Sequence, residues 1–470
     1  MLQPQLAIRE CWQTRPMPFI ATNPATGERI AEYAAHTPEQ VESRLERASA
    51  AFTEWRSTPL AQRAALMRTA AELIEGEIPV IAELLTSEMG KTFAAAKGEA
   101  FKCAATMRYF ADHAEEFLAP EPIVTSGRRS GVRFDPVGAI LAIMPWNFPL
   151  WQVVRFAVPT IMAGNVVLLK HAPNVPGSAL YIEELFRRAG FPDGVMTNLF
   201  VEVDAIEGII ADPRVVGVTL TGSERAGRSV AALAGAHLKK CVLELGGSDP
   251  FIVGVHADLE SVVPMAVTAR VQNNGQACIA SKRFIVVRER ADEFINRFSA
   301  AMAAVPTGDP MDPSTVLGPI VSASQFNQLA EQVSSSVEAG AVVHSGGAPL
   351  EREGYFYPAT VLTDVPSGSR AGSEELFGPV AVVHVAEDLD AAIAYANATP
   401  WGLGGSIWST DDTEIDAAIA GLDVGVVFAN AVVASMPELP FGGTKNSGFG
   451  RELSAYGIKE FTNIKSYYVA

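Results

Sequence analysis

From Gly138 onward the chain alternates short apolar runs with longer amphipathic ones, and this restricts the fold more than any other feature. Ala139 to Met144, Val166 to Lys170 and Val215 to Thr219 read as strands, and Leu150 to Ala163, Ser178 to Ala189 and Ser223 to Ala234 as the helices between them. Strands that are apolar throughout belong to a parallel sheet covered on both faces, because each crossover lays a helix on one face or the other. The alternation resumes beyond Leu243 to Pro250, with strands near Phe284 to Val287, Val342 to His344, Ala381 to His384 and Gly425 to Val427. The expected class is α/β, and 470 residues suffice for two or three domains.

Ahead of this region, residues 20 to 36 carry short alternating runs around a turn at Pro24 to Gly27. Thr37 followed by Pro38 reads as an N-cap and first helical residue opening a helix through Trp55. Helices are also expected from Leu60 to Glu77 and from Ala94 to Phe117, with Thr86 to Lys91 as a helix end, and Arg128 to Asp135 alternates like an edge strand. The most apolar region, Val137 to Leu169, is interrupted by Pro145, Asn147, Pro149, Gln152, Arg155 and Pro159, which argues against a membrane span. A balance of 36 basic to 53 acidic residues argues against nucleic acid and anionic membranes as partners. Cys11, Cys103, Cys241 and Cys278 are too scattered for a disulfide framework, and the start of the chain has no signal-peptide pattern; a cytoplasmic protein is expected. No His-x-x-x-His or clustered Cys/His spacing suggests a metal site.

The stretch Val271 to Arg283 sets one thiol, Cys278, behind a Gly-Gln turn and ahead of an apolar strand. Cysteine is a strong nucleophile as its thiolate, though a lone cysteine is also an ordinary small core residue. Thr221 to Gly227 can bring a glycine and a helix N-terminus up to a phosphate, or form a plain tight turn. Arg155 lies among apolar neighbours, so it needs a partner, either an internal carboxylate or a substrate carboxylate. If its helix begins early, Asn147, Trp151 and Arg155 share one face.

Gly275-Gln276-Ala277-Cys278 occurs with Pro145-Trp146-Asn147-Phe148-Pro149, Leu243-Glu244-Leu245-Gly246-Gly247 and Glu374-Glu375-Leu376-Phe377-Gly378-Pro379, flanked by Asn23-Pro24-Ala25-Thr26-Gly27 and Pro440-Phe441-Gly442-Gly443. In this order the motifs resemble those of the aldehyde dehydrogenase superfamily, over nearly the whole chain. The resemblance implies a Rossmann-like cofactor domain (1–117 and 138–246), an α/β catalytic domain (247–445) and a small oligomerisation β-sheet (118–137 and 456–470) in a homodimer or homotetramer. It implies Cys278 as nucleophile, Asn147 with the Cys278 backbone N–H as oxyanion donors, and Glu244 as general base. Taken singly, Asn147 is equally a helix cap, and Glu244 a structural residue at a glycine turn.

By the same resemblance NAD or NADP is held by Pro145, Trp146, Lys170, Pro173, Gly222, Ser223, Leu245, Gly246, Glu375 and Phe377. Many members carry a glutamate that repels a 2′-phosphate where this chain has Pro173, so use of both cofactors is expected. Arg155, with Lys170-His171-Ala172-Pro173-Asn174, resembles bacterial NAD(P)-dependent succinate-semialdehyde dehydrogenases, which implies Arg155 and Trp151 as substrate residues for an aldehyde with a distal carboxylate. Lys282 and Arg283 are second candidates for that anchor. Two other classes stay open: a cysteine hydrolase or acyltransferase using one of seven histidines, and a catalytically silent binding protein.

Overall fold

The computed structural model describes residues 18–470, so Cys11 lies outside the described residues. Two main sheets organise the chain. The first has six strands, in spatial order Gly448–Phe449, Lys240–Glu244, Val215–Thr221, Ala139–Met144, Val166–His171 and Met196–Asn198. It is parallel except for the antiparallel edge strand Gly448–Phe449. Its apolar runs are buried on both faces, as Ile140, Leu141 and the whole of Val166 to Leu169 illustrate. The second sheet has seven strands: Val342–Ser345, Thr360–Thr363, Val380–Ala386, Arg283–Val287, Pro250–Val253, Gly404–Trp408 and Val426–Ala429. Only Val342–Ser345 runs antiparallel to its neighbour.

In the first sheet, strand order runs outward in both directions from Ala139–Met144: one neighbour continues to Val166–His171 and the other is Val215–Thr221. The loops leaving Met144 and Thr221 therefore diverge to opposite faces and leave a crevice between them, the position where open parallel sheets bind ligands. The same edge carries Glu244, from which residues 245–249 cross directly into the second sheet at Pro250.

Several boundaries differ from the sequence reading, each for a local reason. The helix expected to stop at Glu77 runs from Leu60 to Met89 through Pro79, because Ile81, Ala82, Leu85 and Met89 extend the same buried stripe; it ends on left-handed Gly90. The helix from Pro38 to Trp55 has the expected Thr37 cap, completed by Gln40 as a capping box. Arg129–Pro136 is not an edge strand but the centre of a three-stranded sheet, because Thr462–Val469 pairs along one side and Glu121–Pro122 along the other. Helix Trp151–Met162 starts too late to include Asn147, so only Trp151 and Arg155 share its face.

The turn before Cys278 requires its glycine: Gly275 has φ +72°, and a Cβ there would collide with the Gly378 backbone. Gly76, by contrast, sits mid-helix with open space around it. Thermal unfolding checks the contrast. Gly275→Ala lowers the midpoint, with left-handed strain alone costing about 1–2 kcal/mol, whereas Gly76→Ala raises stability by about 0.5–1 kcal/mol.

Candidate active site

Cys278 follows a 3-10 turn in which Asn273, Asn274 and Gly275 take left-handed φ of 53°, 57° and 72°. Asparagine tolerates that region, and here both amides also tie the turn to other segments. Asn273 Nδ2 donates to Asn147 O at 2.8 Å; Asn274 Nδ2 donates to Gly90 O at 2.8 Å and Pro319 O at 3.0 Å. Buried Arg270 grips both ends of the loop, donating to Gly275 O at 2.6 Å and Ser281 O at 2.9 Å. Lys282 donates to the Cys278 carbonyl and forms an ion pair with Glu375 at 3.1 Å.

The thiol lines two spaces. One is a cleft of about 750 Å³ whose walls include Pro145, Trp146, Asn147, Gly222, Ser223, Glu244, Leu245, Gly246, Glu375 and Phe377. The other is a pocket of about 240 Å³ bounded by Lys102, Phe148, Trp151, Arg155, Ser435 and Phe441. The cleft coincides with the crevice at the first sheet's switch point and suits an elongated nucleotide. Gly222 precedes the Ser223 cap of helix Glu224–Ala236, and Gly246 lies so close to the Glu375 carboxylate that a side chain there would collide with it. Trp146 and Phe377 meet edge to face at 5.6 Å across the cleft. The pocket is smaller than the roughly 300–1,000 Å³ that drug-sized ligands occupy, and suits a short molecule.

Glu244 ends its strand fully buried, and neither carboxylate oxygen has a protein partner. Burial raises its pKa well above the carboxylate range, the Arg155 charge pulls it back and Glu452 opposes that. Burial likewise pushes the Cys278 thiol up to about 11, against the pull of Arg155 and Lys282. Both groups line the same cleft, and both hold their protons more tightly than in water. Asn147 Nδ2 donates to Gln276 O at 3.0 Å, and an amide has a second N–H to offer. The loop bearing Asn147 is anchored from below: Glu99 accepts from the N–H groups of Leu150 at 2.8 Å and Trp151 at 2.9 Å, and its other oxygen pairs with buried Lys91.

Not every expected residue joins the site. Lys170 is buried one residue before the end of its strand and Pro173 is exposed beyond it; neither is among the residues lining the cleft. Arg155 does line the small pocket with Trp151, but its guanidinium is committed to Glu452, with Thr221 Oγ1 at 3.4 Å. The internal carboxylate, one of the two partners the sequence leaves open for Arg155, is thus present. Of the second candidates, Arg283 donates to the carbonyls of Ser248, Tyr395 and Ala396, and Lys282 pairs with Glu375. Lys102, Ser435, Glu99 and Glu452 are participants that the motifs do not mark. Among the described residues no histidine lines either space beside Cys278, which leaves a histidine-based hydrolase without its base.

Residues 12–467 match the aldehyde dehydrogenase family. The chain is 52% identical to succinate-semialdehyde dehydrogenase [NADP(+)] 1 of Mycobacterium tuberculosis, over 97% of this chain and all of that one. It is similar to the crystal structure of succinic semialdehyde dehydrogenase from Streptococcus pyogenes in complex with NADP+, with TM-score 0.94, 38% identity, and coverage of 96% and 99% of the two chains. A Bacillus cereus aldehyde dehydrogenase in an NAD+ complex superimposes with TM-score 0.93 at 30% identity, covering 96% and 93%.

The raised thiol has a direct consequence. Alkylation of Cys278 in the free enzyme by iodoacetamide, followed by peptide mass spectrometry, accelerates about tenfold for each pH unit between pH 7 and 10, because the thiolate fraction does. A plateau at neutral pH contradicts the assigned environment.

Proposed function

As this chain belongs to the aldehyde dehydrogenase family, we propose that it oxidises succinate semialdehyde, a short aldehyde with a distal carboxylate, to the free acid, using NADP and accepting NAD. The observation that carries this reading is the position of Cys278 on the wall shared by the nucleotide-sized cleft and the small pocket. The names of the relatives support the substrate and cofactor. Pro173, where many family members have an acid, supports tolerance of a 2′-phosphate, and Lys170 on the adjoining strand supplies a nearby cation.

In this reading residues 1–117 and 138–246 hold the cofactor, residues 247–445 supply the thiol, and the small sheet from 118–137 and 456–470 mediates a homodimer or homotetramer. Exposed Ile123, Val124, Ile464 and Tyr468 give that sheet apolar surface to cover. Free Cys103, Cys241 and Cys278 suit the cytoplasm.

A nicotinamide dinucleotide held by the residues of the cleft would supply the hydride acceptor. The residues of the chain do the rest. Glu244 takes the thiol proton as Cys278 Sγ attacks the aldehyde carbon, and the new oxyanion is received by the Asn147 amide and the Cys278 N–H. Loss of hydride from this adduct leaves a thioester on Cys278. After passing the first proton to solvent, Glu244 draws a proton from water, whose attack releases the acid, and returns it to the departing sulfur to restore the thiol. The retained carboxylate favours water over coenzyme A as acyl acceptor. Pro145, Trp146, Leu245, Gly246, Gly222, Ser223, Glu375 and Phe377 line the space where the nucleotide is held.

Steady-state measurement of NADPH formation tests this. Glu244→Gln lowers turnover by roughly 10²–10⁴-fold, the range for loss of a general base, with NADP binding retained; unchanged turnover removes Glu244 as base. Arg155→Met breaks a buried ion pair, a change that typically costs about 3–5 kcal/mol. It lowers stability and impairs succinate semialdehyde and butanal alike.

A further inference from the structure

The side chain of Lys282 is only 1% exposed, yet each of its three N–H bonds has an acceptor. Nζ donates to the Ala277 carbonyl at 3.0 Å and to the Cys278 carbonyl, and it pairs with Glu375 Oε1 at 3.1 Å. The backbone N–H of Lys282 donates to Asp249 O at 3.1 Å, where the chain crosses from one sheet to the other. A buried ammonium is tolerated when it is paired and fully hydrogen-bonded, and these contacts make it a fixed point.

What it fixes is the peptide unit between Ala277 and Cys278. A trans peptide is planar, so its C=O and N–H point in opposite directions and turn together. The Ala277 oxygen accepts twice, from Lys282 Nζ and from the Ala280 N–H at 3.1 Å, which uses both lone pairs and sets the plane. At the other end of the unit, the Cys278 N–H donates to no group among the described residues. A cation hydrogen-bonded to the carbonyl also polarises the amide and strengthens its N–H as a donor, as in any chain of hydrogen bonds. The same ammonium holds the Cys278 carbonyl, so the backbone is gripped on both sides of the carbon that bears the thiol.

We propose that Lys282 is a positioning residue for the oxyanion step: through the Ala277 carbonyl it aims and polarises the Cys278 N–H. The assignment rests on the reading of Cys278 as the nucleophile. Lys282 has a second, separable effect. Burial raises the Cys278 thiol, Arg155 and then Lys282 draw it back, and Asp249 and Glu375 add to the rise. That field acts on the thiolate whatever it attacks, whereas the N–H counts only where an oxyanion forms.

The experiment compares two reactions of Cys278 in the protein without nucleotide. With p-nitrophenyl acetate the thiol proton passes to Glu244, the S–C bond forms through a tetrahedral oxyanion, and the C–O bond breaks to release p-nitrophenolate. With iodoacetamide the same sulfur displaces iodide and no oxyanion forms. At one pH, the ratio of the two second-order rate constants cancels changes in thiolate fraction. Lys282→Met lowers the acylation-to-alkylation ratio roughly 10- to 100-fold, short of the 10²–10³ lost when an oxyanion donor is deleted outright. Lys282→Arg, which keeps the charge and the donors, restores most of it; Lys282→Gln replaces the methionine variant if that does not fold. Release of p-nitrophenolate that persists in wild type after Cys278 is fully alkylated overturns the reading of the nucleophile and the positioning role together. A ratio unchanged in Lys282→Met, as when acylation and alkylation fall in parallel, overturns the positioning role alone.

Discussion

Three consecutive left-handed residues, Asn273, Asn274 and Gly275, fix the turn that carries the thiol, and the rest of the site is assembled around it. Left-handed backbone is unfavourable for side-chain-bearing residues, so it persists only where surrounding contacts hold it. Those contacts come from distant parts of the chain: the carbonyl of Asn147 after a strand of the first sheet, that of Gly90 at a helix end, and the Gly318–Pro319 backbone. The turn thus joins the Asn147 loop of one half to the Cys278 loop of the other. Local strain in the turn before Cys278 is coupled to the docking of the two sheets, and the cleft between them exists because that docking does.

Around this turn the electrostatics follow from burial. Removing water raises the proton affinity of both Glu244 and Cys278, and the same exclusion strengthens every charge that remains. Arg155 lies between them in effect: it lowers both pKa values while its own charge is held by Glu452. It therefore acts on both groups through the field it exerts. Lys91 and Glu99 act mechanically, bracing the first turn of helix Trp151–Met162 and with it the loop that carries Asn147.

Much of this was legible in the sequence, for identifiable reasons. Apolar runs such as Val166 to Leu169 allow few alternatives to a covered parallel strand, and Cys278, Glu244 and Asn147 sit in motifs whose chemistry limits the choice of residue. Boundaries were less legible where packing overrode a local signal, as at Pro79, where the buried stripe continues past the proline. The partner of Arg155 stayed open in the sequence because its counter-ion lies 297 residues away.

The account depends most on the sulfur of Cys278 carrying the acyl group between oxidation and hydrolysis. Acid quenching of the wild-type enzyme in its first turnover with succinate semialdehyde and NADP, followed by peptide mass spectrometry, examines that atom directly. The expected result is a succinyl mass increment confined to the peptide containing Cys278, appearing with the first equivalent of NADPH. An acyl group on another residue, with the Cys278 peptide unchanged while NADPH forms, contradicts the account.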